Sequence, residues 1–258
     1  MRPAPRIVAF DIGEVLIDES RVWREWAAIV GVSPATLAAV LGAAIVQGED
    51  HEAALDHVAP NVTWRELEDE HESRYGGFRV DDLYPDVVGC LADLTAAGFE
   101  VVLAGNQPAR RRAQLEALPG IAPPASRVIV SDELGVAKPD PAFFTALLDT
   151  LGCTPGELLY VGDRVDNDVL PAHALGIATC RLERGPWGRL QEVPEDIEVD
   201  LALEGLGELA VLLTAWRDEA TCEATADDGD KTDGDRTDGD GADDTDDADD
   251  ADDERGAG

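Results

Sequence analysis

Ile7-Val8-Ala9-Phe10-Asp11-Ile12-Gly13-Glu14-Val15-Leu16 decides the fold. Its first four residues are wholly apolar and too few for a helix, the composition of a strand buried on both faces, and the run then breaks into an acid and a glycine. The same pattern returns downstream. Val101-Val102-Leu103-Ala104 runs into Gly105-Asn106, Val128-Ile129-Val130 into Ser131-Asp132, and Leu158-Leu159-Tyr160-Val161 into Gly162-Asp163. Stretches with helical spacing separate these runs at 85–97, 109–118, 141–151 and 166–175, several of them closed by a glycine (Gly98, Gly152, Gly176). Strand and helix alternate, so the expected fold is α/β: a Rossmann-like parallel sheet with right-handed crossovers and helices on both faces. Ligands of such sheets bind beyond the carboxyl ends of the strands, which here carry Asp11, Gly105, Asn106, Ser131, Gly162 and Asp163.

Residues 20–83 interrupt the alternation. They show helical spacing at 21–30, 34–46 (Ser33 as N-cap), 49–58 and 64–75 and no strand-like run, which predicts an inserted α-helical subdomain. Trp23, Trp26, Leu37, Leu41, Leu55 and Trp64 are its expected core. The sheet domain is then 1–19 with 84–217. Beyond Gly176 the sequence predicts a strand at 177–182, a turn at Gly185-Pro186-Trp187-Gly188, a short edge strand at 199–203 and a closing helix at 206–216.

The chain has 258 residues and sets 20 Lys+Arg against 55 Asp+Glu, a net charge of −35. A field of that sign repels nucleic-acid phosphates and anionic lipid, and no apolar run nears the ~20 residues that cross a bilayer. Neither a nucleic acid nor a membrane is an expected partner. From Asp218 onward, 19 acidic residues face three basic ones. This segment, 218–258, has too little apolar area to offset about 1–2 kcal/mol of backbone entropy per residue, and is expected to be a disordered acidic tail. Its Asp-Gly repeats do not follow EF-hand order. Cys90, Cys153, Cys180 and Cys222 lack both C-x-x-C and short-range metal spacing, as the reduced thiols of a cytoplasmic protein do. The apolar run before Asp11 is too short for a secretory signal.

An ionised aspartate that follows a buried strand is costly unless it binds a cation or attacks something. Asp11 and Asp163 both hold that position, and Lys138 lies in Gly135-Val136-Ala137-Lys138-Pro139-Asp140. Two carboxylates and a lysine facing one pocket suit Mg²⁺ and a phosphoryl group, since hard oxygen ligands bind Mg²⁺ and an ammonium neutralises phosphate. His51, His57, His71 and His173 pair with no nucleophile, and no G-x-S-x-G is present, so serine-hydrolase chemistry has no support. Arg110-Arg111-Arg112, on a helix, diverge by about 100° per residue and read as a solvated face.

Phe10-Asp11-Ile12-Gly13-Glu14-Val15-Leu16, Lys138-Pro139-Asp140, and Gly162-Asp163 followed five residues on by Asp168 resemble the haloacid dehalogenase-like (HAD) hydrolases in order and spacing. The likeness extends over roughly residues 6–190 and is to the phosphatase branch, in which a helical cap follows the first motif. It implies that Asp11 attacks phosphorus to form an aspartyl-phosphate, that Lys138 steadies nucleophile and phosphate, and that Asp11, the Gly13 carbonyl, Asp163 and Asp168 hold Mg²⁺. It also implies that 20–83 is a substrate-selecting cap, and that the substrate is a small phosphorylated metabolite. Two positions depart from the family pattern. Gly13 stands where a second aspartate serves as general acid and base, a contribution of about 10²–10⁴-fold. Ala104-Gly105-Asn106-Gln107 lacks the phosphate-binding Ser or Thr, leaving the backbone N–H groups of Gly105 and Asn106 and the amides of Asn106 or Gln107 as donors. Two other readings stay open: a catalytically weakened HAD-fold protein that binds a phospho-ligand or regulates, and a metal-independent 2-haloacid dehalogenase, which the retention of Asp163 and Asp168 disfavours.

Overall fold

The apolar runs assemble into the centre of one parallel sheet. The computed structural model describes residues 3–229, those from 223 on as backbone alone. Six strands, β1 (Ile7–Phe10), β2 (Glu100–Gly105), β3 (Ala125–Val130), β4 (Leu158–Gly162), β5 (Ala178–Leu182) and β6 (Leu201–Leu203), pair in the order β3-β2-β1-β4-β5-β6, every pair parallel. Between β1 and β2 lie α1 (Ser20–Val30), α2 (Pro34–Val46), α3 (His51–Val58), a 3₁₀ turn (Trp64–Leu67), α4 (Glu68–Tyr75) and α5 (Val87–Ala96). The rest of the chain adds α6 (Arg110–Glu116), α7 (Ser131–Leu134), α8 (Pro141–Leu151), α9 (Leu170–Ala174), α10 (Gly185–Leu190) and α11 (Leu209–Gly229).

β1 is buried at every residue because its period of two sends Val8 and Phe10 into one layer and Ile7 and Ala9 into the other. In the first layer they join Leu103, Leu159, Val161 and Cys180 against Val87, Leu91 and Leu94 of α5, Leu115 of α6, and Leu209 and Leu213 of α11. The second layer sets Val102, Ala104, Leu158 and Tyr160 against Phe143, Phe144 and Leu147 of α8 and Ala172 of α9. Each fully buried side chain of this size contributes about 1.5–3 kcal/mol.

The helical insertion carries its own core. Trp26, Ala27, Leu37, Leu55 and Trp64 form one cluster, and Leu41, Ala44, Ile45 and Ala54 a second, into which Trp187 of α10 projects; Trp23 packs against both. Ser33 Oγ accepts the Thr36 N–H at 3.0 Å, the N-cap that the sequence foretells, and Asp50 caps α3 in the same way. Arg111 of α6 corrects the solvated reading of the arginine cluster: it is buried, and its guanidinium meets both carboxylate oxygens of Glu72 on α4, at 2.5 and 3.0 Å. Arg21 of α1 pairs likewise with Asp82, with an Nε bond of 2.9 Å.

Three local expectations shift. The 64–75 helix opens as a 3₁₀ turn, and the 166–175 helix opens as a wide turn at Val165–Val169. Gly185–Gly188 is no loop turn but the start of α10, where Pro186 supplies a helical φ and its missing N–H costs nothing. α11 runs on to Gly229; the remainder of the acidic tail, 230–258, lies outside the described residues. Among the described residues no single helix is long and apolar enough to cross a membrane.

Phe144 is fully buried, edge-on to Phe143 (5.3 Å) and Tyr160 (4.9 Å). Phe144→Ala should cost about 3–5 kcal/mol, read as a lower urea midpoint at unchanged slope. Val211→Ala, at a position 72% exposed, should stay within about 0.5 kcal/mol of the parent.

Candidate active site

Asp11 continues the β1 ladder by one bond, its N–H donating to Val161 O at 2.8 Å, which fixes it at the carboxyl edge between β2 and β4. Lys138 Nζ donates to Asp11 Oδ1 (2.7 Å), Asp168 Oδ1 (2.6 Å) and Tyr160 Oη (3.0 Å), and Tyr160 in turn donates to Ala104 O at 2.7 Å. Asn106 locks the lysine from behind: its Oδ1 accepts the Lys138 N–H (2.9 Å) while its Nδ2 donates to Lys138 O (2.8 Å). The carboxamide expected to meet an anion thus first fixes the lysine, although Asn106 does line the cavity.

Asp163 follows β4, and the wide turn beyond it brings Asp168 back towards the same point. Val169 N–H reaches Arg164 O, and Arg164 N–H donates to Asp168 Oδ2 at 3.0 Å. Oxygens of Asp11, Asp163 and Asp168 all lie within 4.8 Å of one another. Two glycines permit this crowding: a Cβ on Gly105 would sit 2.6 Å from Asp11 Oδ1, and one on Gly162 would sit 2.5 Å from the Asp168 carboxylate. The Gly13 carbonyl accepts the Val15 N–H at 2.6 Å, which leaves its second lone pair.

Three carboxylates and one ammonium leave an excess of negative charge in a buried corner. Burial, then the charges of Asp168 and Asp11, hold the Asp163 carboxyl well above the usual carboxylate range. Burial outweighs Lys138 and pushes Asp168 up to about 6. Against the lowering effect of burial, Asp11 and Asp168 keep Lys138 well above an ordinary ammonium. Asp163 Oδ2 is buried and has no hydrogen-bond partner among the described residues. An orphaned oxygen in an electron-rich set of hard ligands fits a small divalent cation.

The insertion supplies the facing wall. Trp23, Trp26 and His51 close a cavity of about 260 Å³ over Asp11, Lys138 and Asp163. Trp23 lies 6.1 Å from Trp187, and Arg164 stacks on Trp187 at 5.0 Å while pairing with Asp166 at 2.7 Å. Trp23 is therefore core and wall together. Glu14 also lines the cavity but is tied: its carboxylate accepts Tyr84 Oη–H at 2.5 Å and the Glu19 N–H at 3.2 Å. Glu19 is half-buried in the cavity wall, and burial, then the charges of Glu14 and Asp11, push its carboxyl up to about 8. Sequence reasoning singled out neither Glu19, Arg164 nor Tyr160; the one available signal was a phenol inside an otherwise aliphatic strand.

The profile of the haloacid dehalogenase-like hydrolases matches residues 5–176. Among curated proteins, the phosphoglycolate phosphatase of Yersinia pseudotuberculosis is 34% identical over 194 residues, 70% of this chain and 82% of that protein. The glyceraldehyde 3-phosphate phosphatase of Methanopyrus kandleri is 34% identical over 122 residues, 45% of this chain. The chain spans about half the length of that protein and of several other curated relatives it matches. The fold is shared with the L-2-haloacid dehalogenase of Xanthobacter autotrophicus, at TM-score 0.59 and 20% identity, over 81% of this chain and 98% of that one.

Because Asp163 and Glu19 are raised in the folded state, the folded chain binds protons more tightly than the unfolded one at these groups, so their stabilisation is lost as pH rises towards 8. His51 and His71, lowered by burial, act with the opposite sign only below about pH 6.5. In chelator the melting temperature should therefore fall from pH 6.5 to 8. Mg²⁺ should reverse the trend, the gap between the two curves widening with pH.

Proposed function

This chain belongs to the haloacid dehalogenase-like hydrolase family, and we propose that it is a cytoplasmic, magnesium-dependent phosphomonoesterase of small phosphorylated metabolites. The observation that carries the reading is the Lys138 ammonium bridging Asp11 and Asp168 beside the orphaned oxygen of Asp163. Lys138 holds one oxygen of Asp11 and leaves the other to attack phosphorus; the ester P–O bond breaks, and an aspartyl-phosphate forms on Asp11. Water then attacks phosphorus, the acyl-phosphate P–O bond breaks, and the Asp11 carboxylate returns. The backbone N–H groups of Gly105 and Asn106 would meet the phosphate oxygens, and the charge of the Lys138 ammonium would attract them from beside Asp11. Asp11, Asp163, Asp168 and the Gly13 carbonyl would hold Mg²⁺, which neutralises charge on the transferring phosphoryl group.

In this reading residues 20–83 act as a cap, with Trp23, Trp26 and His51 facing the ester's leaving group. The small cavity and the activities for which the relatives are named, on glyceraldehyde 3-phosphate and phosphoglycolate, support two- and three-carbon phosphate esters as the first class to try. The three-carboxylate cluster speaks against carbon–halogen hydrolysis, which uses the first aspartate without a metal.

Inorganic phosphate released from p-nitrophenyl phosphate and from short-chain phosphate esters tests this. Release should require Mg²⁺, stop with chelator, and fall by at least about 10³-fold in Asp11→Asn. Metal-independent release, or release undiminished by that substitution, would exclude the mechanism. A folded, Mg²⁺-stabilised chain with no turnover would leave ligand binding as its function.

A further inference from the structure

We propose that Glu19 is the acid–base residue of this site, reaching from the entry of α1 into the space that residue 13 leaves empty; the proposal rests on the phosphatase reading above. A methyl group built on Gly13 would lie 2.5 Å from Glu19 Oε1 and 3.0 Å from its Cδ. The Glu19 carboxylate therefore fills the volume into which a side chain two residues past Asp11 would project.

The backbone brings it there. After Asp11 the chain folds back on itself, Glu14 N–H donating to Ile17 O at 2.7 Å and Ile17 N–H to Ile12 O at 2.9 Å. Glu14 Oε1 then receives the Glu19 N–H, and Trp23 N–H donates to Glu19 O as α1 begins. A six-residue sequence separation becomes side-chain contact distance.

The lysine of the cavity is already engaged, and its other carboxylates are committed elsewhere. Lys138 has three N–H donors, and Asp11, Asp168 and Tyr160 take them. Four carboxylates line the cavity: Asp11 and Asp163 belong to the buried cluster, and Glu14 is held by Tyr84 and the Glu19 amide. The Glu19 carboxylate makes no hydrogen bond or ion pair among the described residues, while it shares the cavity with the nucleophile.

Its part in the reaction balances over the two steps. As Asp11 attacks and the ester P–O bond breaks, the electron pair goes to the leaving oxygen, which takes the proton from Glu19 and departs as an alcohol. As water attacks the aspartyl-phosphate, its proton goes to the Glu19 carboxylate, the Asp11–phosphorus bond breaks, and Glu19 is again protonated for the next turnover.

A proton donor matters to a poor leaving group and little to a good one. In Glu19→Gln, kcat/KM for a simple alkyl phosphate should fall by about 10²–10⁴-fold, while that for p-nitrophenyl phosphate stays within about tenfold. The pair Gly13→Asp with Glu19→Ala moves the carboxylate from residue 19 to residue 13, and should recover alkyl ester turnover that Glu19→Ala alone lacks. An equal loss on both esters, with melting temperatures showing intact folds, or no recovery in the double variant, overturns the assignment. Absence of phosphate release from both esters in the parent chain with Mg²⁺ overturns the phosphatase reading, and this one with it.

Discussion

A buried ammonium at the carboxyl edge of the sheet is the constraint on which this structure turns. Asp11, Asp163 and Asp168 come from two strand ends and a turn, all almost out of water, and each buried ion costs several kcal/mol in lost hydration. Lys138 offsets part of that cost only because its geometry is held tightly: Asn106 clamps its backbone and Tyr160 orients its head. The register follows from the same need. With Phe10 opposite Val161, the residue after β1 stands beside Gly162 and next to Asp163, so a one-residue slip would separate the carboxylates and turn every core side chain of β1 to the wrong layer.

Crowding charges this closely requires removing atoms elsewhere. Gly105 and Gly162 leave space for Asp11 and Asp168, and a side chain at either would push a carboxylate away. The roof over the cluster comes from a different part of the chain, and it is tied down by charge and by rings. Arg111 of α6 grips Glu72 and Trp187 of α10 sits within the insertion's own apolar cluster, while Arg21 and Asp82 pair inside the insertion itself. The cavity is thereby walled by two separate layers of the chain, the helical insertion on one side and the carboxyl edge of the sheet on the other.

The sheet was legible because its strands are buried on both faces: Ile7–Phe10 and Leu158–Val161 have no charged residue to confuse the period, and an acid follows each within two residues. Asp11 and Asp163 stood out for a related reason, since charge beside an apolar strand demands a partner, whereas Asp168 was singled out only by resemblance to the family's motifs. Tyr160 was hidden because its hydroxyl matters only once Lys138 is in place. Glu19 was hidden because nothing in Asp18-Glu19-Ser20 reveals that the loop before it folds back onto Gly13. Trp187 lay in a Gly-Pro-Trp-Gly stretch that suits a turn and a helix start alike. Arg110 and Arg112 lie exposed as the helix-face argument expects, but that argument missed Arg111, because it ignores what packs above the helix.

The placement of the indoles has an optical consequence. Of the five tryptophans, Trp23, Trp26 and Trp64 lie in the insertion and Trp187 lies against it, leaving Trp216 on the far helix. Ultraviolet emission from this chain is thus weighted towards the roof of the cavity and the seam beneath it. Any change in how the insertion meets the sheet domain alters the Trp23–Trp187 contact and the Arg164 stacking, and so is recorded as a change in intrinsic fluorescence without an added dye.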